Sequence, residues 1–282
     1  MRRPHGLLAA ALLLALALAL ALAPGAGRAQ GLALGESAGS GPLNVEADDG
    51  IEWRRDEQVY IARGNARATR GNVTVRADTL TARYRPKPGG SDTEIWRLEA
   101  EGGVVITSPS ETAYGDRAVY TIDDRIMVLT GRALKMVTQT DVITARDSLE
   151  YWEDDRLAVA RGQARDVRQD REIRADVLTA RFAPDRDGKL QLSRIDAFGN
   201  VDIRTPKEIA RGAQGVYTAA NGVATLVGDV RITRGQNQLN GEVAEVNLNT
   251  GVSRMLSAGR GEQAKSRVRG LFVPEKQQGN QR

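Results

Sequence analysis

Apolar and polar residues alternate with a period of two along most of the chain beyond residue 43. A nine-residue pattern recurs six times, with alternating apolar positions on both sides of a central glycine. Such alternation predicts β-strands with one buried face, and a glycine inside a strand usually marks a bend or a close backbone approach. We therefore expect each strand to fold over, from one sheet to a facing sheet, at its glycine: Gly64, Gly102, Gly131, Gly162, Gly199 or Gly228.

The phase of the alternation slips at a second kind of position. In NVTVRADTLTARY, the apolar phase changes after Ala77, and the equivalent segment of the second half repeats the slip after Ala175. A slip of odd length moves the following side chains to the other face unless a bulge or corner intervenes. We therefore expect corners at Ala77–Asp78 and Ala175–Asp176. Around Gly131, the pattern places Met127, Leu129 and Ala133 on the buried face.

The chain contains its own sequence twice. The block RADTLTAR at 76–83 recurs as RADVLTAR at 174–181, and the glycines keep the same rhythm in both halves. We expect a first repeat over residues 43–150 and a second, continuous with it, over residues 151–252. The predicted fold is all-β, with roughly twenty strands. It is an open two-sheet antiparallel β-jellyroll elongated by internal duplication.

The two ends of the chain differ from this body. Residues 1–29 have the layout of a secretory signal peptide, with two arginines before an apolar run that ends at Ala23 and small residues at Gly27 and Ala29. A retained anchor is the alternative, although the run is shorter than the roughly 20 residues that a spanning helix needs. Residues 30–42 are expected to be a flexible leader, and residues 253–282 a basic, disordered tail.

Composition removes several classes of chemistry. The chain has no cysteine, and its one histidine, His5, lies in the predicted signal peptide. This excludes Ser-His and Cys-His catalysis, histidine and thiolate metal sites, and disulfides from the mature chain. Aromatic residues make up only 4%, which is not typical of nucleic-acid binding. We expect no catalytic residue, no metal and no cofactor.

Carboxylate chemistry stays open after this exclusion. A carbohydrate-active enzyme could use a pair of carboxylates, and Asp78 and Asp176 are the candidates. Both occupy the same predicted corner of the repeat, whereas an enzyme site usually occurs once, so a structural role as a turn cap is favoured.

The predicted interior is lined by small residues. Alanine, valine, isoleucine, leucine and threonine dominate it, and they reach the usual packing density of about 0.74 only if the sheets close tightly. Either the sheets form a dry sandwich, or they diverge into a groove that suits acyl chains, and composition leaves both open. The larger inward residues are the candidates for acyl contact: Ile106, Met127, Leu129, Ile195, Val201, Ile203, Leu226, Val230 and Ile232.

The first strand is a candidate docking edge. LNVEAD alternates cleanly and has a proline only before its start, so its backbone can continue a sheet with a strand of another chain. The alternative is that the leader or the tail covers this edge. The residues of this strand are Leu43, Asn44, Val45, Glu46, Ala47 and Asp48.

Two segments carry a resemblance to a known family. PLNVEADDGIEWRRDEQVYIARGNARATRGNVTVRADTLTARY resembles the start of the LptA/OstA family of periplasmic lipopolysaccharide-transport proteins. The motifs GNVDI, A-x-G-x-x-Y, L-x-G-D-V-x-I and G-x-x-A-x-V-N-L of the second half resemble the family's second signature, and RGLFVP resembles its close. The likeness covers residues 43–252. A usual member has about one copy of the repeat and this chain has two, which leaves open how many molecules form a bridge.

The resemblance implies a function as well as a fold. It implies a periplasmic protein that carries lipopolysaccharide, with the acyl chains between its sheets, from an inner-membrane complex to an outer-membrane translocon. It also implies an LptC-type partner at the N-terminal edge, an LptD-type translocon at the C-terminal edge, and end-to-end self-association. The alternatives are an anchored LptC-type component of the same pathway and a structural β scaffold without lipid binding.

Overall fold

The computed structural model describes residues 43–89, 92–188, 190–247, 252–257 and 267–273. The predicted signal peptide and leader lie outside the described residues. Throughout the described ranges every regular element is a β-strand, and those ranges hold no helix long and apolar enough to cross a membrane. The prediction of an all-β fold is confirmed.

The structure describes eighteen strands, close to the number that the alternation predicts. They are β1 (Asn44–Glu46), β2 (Gly50–Arg54), β3 (Val59–Arg70), β4 (Val73–Pro86), β5 (Thr93–Thr107), β6 (Glu111–Thr121), β7 (Ile126–Thr130), β8 (Leu134–Thr138), β9 (Val142–Ala145), β10 (Ser148–Trp152), β11 (Leu157–Arg168), β12 (Arg171–Pro184), β13 (Leu190–Arg204), β14 (Ile209–Thr218), β15 (Val223–Arg234), β16 (Asn237–Asn247), β17 (Val252–Leu256) and β18 (Arg269–Leu271).

The described chain divides into two units. The first, here called the N-terminal unit, runs to Gln169 and includes Ala175–Ile195. In it, β1 and β2 both pair with β3, and antiparallel pairing continues through β4 and β5 to β6. Strand β6 pairs with both β7 and β8. Strand β7 then pairs with β10, and β8 pairs with β9. Both β9 and β10 pair with β11. At three places in this unit, two short strands therefore pair with the same long strand, one after the other: β1 and β2 with β3, β7 and β8 with β6, and β9 and β10 with β11.

The second, here called the C-terminal unit, comprises Asp170–Arg174 and the described residues from Asp196 onward. Strand β14 pairs with β15, β15 with β16, and β16 with both β17 and β18, all antiparallel. The expectation of a disordered tail from residue 253 therefore needs correction, because β17 and β18 lie in that segment. Its average composition is polar and basic, which conceals two short apolar stretches, VSRML and RGLFV, that pair with β16.

Most long strands bend at the predicted glycines. The register of the ladders shifts between Arg63 and Ala66 in β3, and between Glu101 and Val104 in β5. At each bend two consecutive residues have a positive φ, which breaks the extended conformation and turns the strand. These pairs are Gly64–Asn65, Gly102–Gly103, Gly162–Gln163, Gly199–Asn200 and Gly228–Asp229. The corner predicted at Ala77–Asp78 is confirmed as well, since the β4–β5 register shifts between Arg76 and Thr79.

The third bend differs from the prediction. Residues 131–133 form a turn between β7 and β8, so the strand restarts at Leu134. Leu134 is buried and Ala133 is exposed. The expectation that Ala133 faces the interior is therefore wrong, because the turn consumes an odd number of residues and moves the next side chains to the other face.

A buried row of side chains crosses the N-terminal unit from strand to strand. Ala100, Ala118, Leu129, Leu149 and Ala160 are directly opposite one another on β5, β6, β7, β10 and β11, and all five are buried. The row passes from the first copy of the repeat into the second without interruption, so the duplicated sequence forms one continuous ladder at this junction.

Candidate functional site

The nine candidate groove residues fall into two groups by burial. Six of them are buried in the core: Ile106, Met127, Leu129, Val201, Leu226 and Val230. Three keep part of their surface accessible: Ile195, Ile203 and Ile232. Around Ile232 the burial alternates as the period-two pattern predicts, since Val230 is buried and Arg231 is exposed, whereas Asp196 beside Ile195 is buried as well. The half-buried isoleucines are therefore the ones with surface left for a ligand.

Glycine allows a close approach inside each copy of the repeat. A Cβ atom at Gly115 would lie 2.8 Å from Leu129 Cδ1, and a Cβ atom at Gly212 would lie 2.8 Å from Leu226 Cγ. The two pairs are equivalent in the repeat, with the same sequence separation between glycine and leucine. Each leucine side chain therefore packs directly against the backbone of a glycine on the neighbouring strand, in the space that any larger residue would fill with its side chain.

The corner aspartates have a structural position. The carboxyl group of Asp78 occupies the space that a Cβ atom on Gly102 would take, and Asp49 lies in the same way over Gly64. Asp147 repeats the arrangement over Gly162 at the start of the second copy. The position of Asp78 thus supports the turn-cap interpretation over the enzyme interpretation. No group of acidic residues with the arrangement of a metal site occurs in the part of the chain that the structure describes.

Sequence reasoning missed a cluster of polar groups in the N-terminal unit, here called the polar rim, around Tyr120, Tyr151 and Glu153, which are all buried. The Tyr120 hydroxyl is hydrogen-bonded to the Glu153 carboxylate, and burial together with this carboxylate raises the pKa of Tyr120. Arg125 Nη2 lies 3.0 Å from Glu153 Oε2. Tyr151 is buried beside them, and the charge of Glu111 acts on its hydroxyl.

Two carboxyl groups of this unit are half-buried, and one oxygen of each is buried without a hydrogen-bond partner. Burial raises the pKa of Glu111 to about 7, and its Oε1 atom has no hydrogen-bond partner. Burial, and next the neighbouring Asp141 carboxylate, raise the pKa of Asp166 to about 7 against the opposing effect of Arg168. Asp166 Oδ1 also lacks a partner, while Arg168 Nε and Nη2 both donate to Asp141. The only sequence signal for either group was that Asp166 interrupts the apolar pattern.

The C-terminal unit repeats the rim with equivalent residues. Glu208 is 7% exposed and Tyr217 is 3% exposed. Burial raises the pKa of the Glu208 carboxyl, and Arg234 partly offsets this. Burial also raises the pKa of Tyr217, whose hydroxyl has no hydrogen-bond partner. Both repeats therefore place a carboxyl and a phenol at the end of their apolar interiors.

The N-terminal edge can be compared with its own internal copy. Strands β9 and β10 are the repeat counterparts of β1 and β2, and they make the same backbone hydrogen bonds at their break. Asp48 N donates to Gly64 O at 2.8 Å, and Arg146 N donates to Gly162 O at 2.7 Å. On their other side, β9 and β10 are covered by β8 and β7. Among the described residues, β1 and β2 pair only with β3.

The uncovered edge exposes apolar side chains that the covered copy buries. Ile51 of β2 is 55% exposed, whereas its counterpart Leu149 of β10 is 8% exposed. Trp53 is 53% exposed, whereas its counterpart Tyr151 is 6% exposed. The predicted edge residues Leu43 and Val45 are exposed in the same way. The difference at equivalent positions measures how much apolar surface a further strand would remove from water.

Aromatic residues hold the uncovered edge in shape. Trp53 Nε1 donates a hydrogen bond to the Tyr84 hydroxyl at 2.8 Å. The Trp53 and Tyr60 rings stack with centroids 5.6 Å apart, and the Arg55 guanidinium lies 4.2 Å from the Trp53 ring centroid. Contacts of this kind fix an exposed tryptophan in one position, so the edge is ordered before any partner arrives.

The other edge lies on β17 and β18 of the C-terminal unit. Both strands pair with β16 alone among the described residues. Val252, Leu256, Leu271 and Phe272 are exposed along them. The chain thus has an uncovered apolar edge strand near each end of its described part.

A comparison with protein-family models identifies the family of the chain. The model of the LptA/(LptD N-terminal domain) LPS transport protein family matches the chain twice, over residues 44–151 and 142–252. No curated protein matches the chain significantly. Seventeen chains of solved structures match.

One of these structures is LptH from Pseudomonas aeruginosa, described as the LptA homologous periplasmic component of the conserved lipopolysaccharide transport device. The sequences are 13% identical over 83% of this chain and 96% of that one, with a TM-score of 0.21. At so low a TM-score the superposition carries no weight, and the family is assigned by the family model alone.

Proposed function

Because the chain belongs to the family of LptA and LptD N-terminal-domain lipopolysaccharide-transport proteins, we propose that it is a periplasmic bridge that binds lipopolysaccharide. In this role it carries the lipid from an inner-membrane complex to an outer-membrane translocon. An LptC-type partner docks at the β1–β2 edge, and an LptD-type translocon docks at the β17–β18 edge. Such transport requires no catalytic residue in this chain.

The observation that carries the bridge role is the contrast between the two copies of the first strand. Where β7 and β8 cover the second copy, Leu149 and Tyr151 are buried, and where nothing described covers the first copy, Ile51 and Trp53 are exposed. Exposed apolar edge strands are a liability that proteins normally blunt, so a partner strand that continues the sheet explains their presence. End-to-end self-association of this chain would use the same edges.

The interior supports the lipid-binding part of the proposal. Half-buried isoleucines on β13 and β15 face the same side as the buried core, and acyl chains gain about 0.8 kcal/mol for each CH₂ group removed from water. The scaffold alternative is supported by the six candidate residues that are fully buried, since a packed core needs no ligand. A lipid-contact experiment separates the two.

The docking edge is tested by placing a charge on it. Ile51→Lys puts an ammonium group where an incoming strand would pack, and the substitution leaves the free protein folded because the Ile51 side chain is mostly exposed. We expect affinity for the purified periplasmic domain of an LptC-type partner to fall roughly tenfold or more, because an unpaired charge resists burial.

The matched control is Glu52→Gln on the outward face of the same strand, which disturbs only surface ion pairs with Arg54 and Arg63 and should leave the affinity unchanged. Leu271→Lys on β18 should weaken translocon binding and spare the LptC-type partner. Unchanged binding by folded Ile51→Lys would contradict docking at this edge.

Lipid contact is tested by site-specific photo-crosslinking to lipopolysaccharide in living cells. A probe at Ile232, half-buried on β15, should label the lipid, and a probe at the adjacent exposed Arg231 should not. Asp202 beside Ile203 is a poorer outward control, since it pairs with both Arg204 and Arg211. Labelling at neither position, in folded and exported protein, would favour the scaffold.

A further inference from the structure

The two repeats place the same carboxyl group at the same interior position. Glu111 and Glu208 each follow a short turn, closed by a backbone bond from Ser108 N to Glu111 O at 2.9 Å in one repeat and from Thr205 N to Glu208 O at 3.0 Å in the other. Each glutamate precedes a buried alanine by two residues, Ala113 or Ala210. Because side chains alternate along a strand, both carboxyl groups point to the apolar interior.

A phenol faces the interior from the other arm of each folded strand. Strand β14 bends between Arg211 and Gln214, so Glu208 and Tyr217 lie on opposite arms at similar distances from the bend. In the N-terminal unit, the counterparts on β6 are Glu111 and Tyr120, and the buried Tyr120 hydroxyl is hydrogen-bonded to Glu153.

Two of these polar groups are left without a partner by the fold. Glu111 Oε1 and the Tyr217 hydroxyl are buried without a hydrogen-bond partner. More than nine in ten buried polar groups are normally paired, and an unpaired one costs roughly 1–3 kcal/mol. Each repeat therefore has one buried polar group that the fold leaves unpaired, Glu111 in the first and Tyr217 in the second, and a bound ligand with hydrogen-bonding groups would pair it.

We propose that Glu111 in the N-terminal unit, and Glu208 with Tyr217 in the C-terminal unit, bind the linkage region of an acylated glycolipid. The occupants are the ester and amide carbonyls and the hydroxyls that join its acyl chains to its sugar. This site rests on the proposed function and refines it, because it assigns the linkage of the lipid to particular residues.

The chemistry of the site selects this part of the ligand. A phenol donates a hydrogen bond, and a carboxyl group does so while it keeps its proton; carbonyl and hydroxyl oxygens accept these bonds. A phosphate group would be repelled by these carboxyls when they ionise. Acyl chains alone offer no acceptor and would leave the same polar atoms unpaired.

The experiment compares two probes on the purified mature protein. One probe is lipopolysaccharide, and the other is a fluorescent long-chain alkyl compound without ester, amide or phosphate groups. We expect Tyr217→Phe and Glu208→Leu each to weaken lipopolysaccharide binding roughly fivefold, the usual effect of one lost hydrogen bond. Glu111→Leu should do the same. All three should bind the alkyl probe as the wild type does.

Two further variants serve as controls. Glu208→Gln keeps a hydrogen-bond donor and an acceptor at the same position and should retain lipopolysaccharide affinity to within about twofold. Tyr114→Phe removes a hydroxyl on the exposed face of β6 and should change neither affinity. Thermal unfolding of every variant separates lost contact from lost folding.

The outcomes distinguish this site from the proposed function. If the wild type binds lipopolysaccharide and the three variants bind it equally well, or if they lose affinity for both probes alike, the site is overturned and the lipid-carrying function stands. If the wild type binds neither probe, the lipid-carrying function and the site fall together.

Discussion

Replacement of Glu111 by glutamine should stabilise the protein, and the gain should grow with pH. Burial raises the pKa of this carboxyl from its ordinary value of 4.5 to about 7. Its Oε1 atom has no partner that would compensate the charge of the ionised form. Glutamine has nearly the same shape and carries no charge at any pH, so it removes this cost.

The sign and size follow from proton binding. In the unfolded chain the carboxyl ionises near pH 4.5, whereas in the folded chain it keeps its proton up to about pH 7. The folded state therefore binds more protons within this window, and the free energy of unfolding falls as the pH rises through it. At about 1.36 kcal/mol for each pH unit, the loss reaches about 3 kcal/mol above pH 7. Below pH 4.5 both states are protonated and the effect vanishes.

The assay is urea unfolding of the wild type, Glu111→Gln and the control Glu101→Gln at several values between about pH 5 and pH 8. Glu101 is exposed on the neighbouring strand and pairs with Arg117 at the surface. The stability advantage of Glu111→Gln over the wild type should increase by about 2–3 kcal/mol across this range, while the control difference stays flat. An advantage that does not change with pH would refute the buried, uncompensated carboxyl.

Three further predictions concern the bends and the junction. Gly102→Ala should lower the free energy of unfolding by about 3 kcal/mol or more, and Gly103→Ala by about 1 kcal/mol, because both have positive φ but only the first Cβ meets other atoms; equal costs in urea unfolding would contradict this. Gln163→Asn should raise the free energy of unfolding by about 0.5 kcal/mol, since asparagine tolerates the positive φ at this position better than glutamine does. A lower melting temperature of this variant would contradict the prediction. Leu149→Ala should lower the free energy of unfolding by about 2–5 kcal/mol, because Leu149 is buried, and its counterpart Ile51→Ala by under about 1 kcal/mol, because Ile51 is exposed. Similar losses for the two variants would show that the edge is covered in the free protein.

The bends show how far local sequence reasoning reaches. A glycine that shares the parity of the apolar positions predicts a bend, and residues such as Gly64 and Gly162 lie at bends in the structure. The next residue also adopts a positive φ, as at Asn65 and Gln163. Asparagine is a recognised signal for this conformation, whereas glutamine carries none, so only part of the bend was readable. At Gly131 the length of the turn decided the phase, and no local pattern encodes that length.

The candidate site was less accessible to sequence reasoning than the bends. The alternation predicts which large apolar residues share the inward face, and six of the nine candidates are buried, whereas their contact with a lipid stays a prediction. It could not identify Glu111 and Glu208 as interior groups, because each stands beside a turn, where the alternating pattern has just begun. Their orientation follows from the first residues of the strand. The missing partner of Glu111 Oε1 depends instead on which side chains the neighbouring strands place beside it.

The sequence alone determined the strand class, the bends and the duplication, because these depend on periodicity and on backbone preferences of residues close together in the chain. Tertiary structure decided exposure at equivalent positions. Ile51 and Leu149 occupy the same place in the repeat, yet one is exposed and the other buried, because β7 covers the second and no strand of the described residues covers the first. Burial depends on which strand lies alongside, and the pairing of strands distant in sequence is a property of the assembled fold.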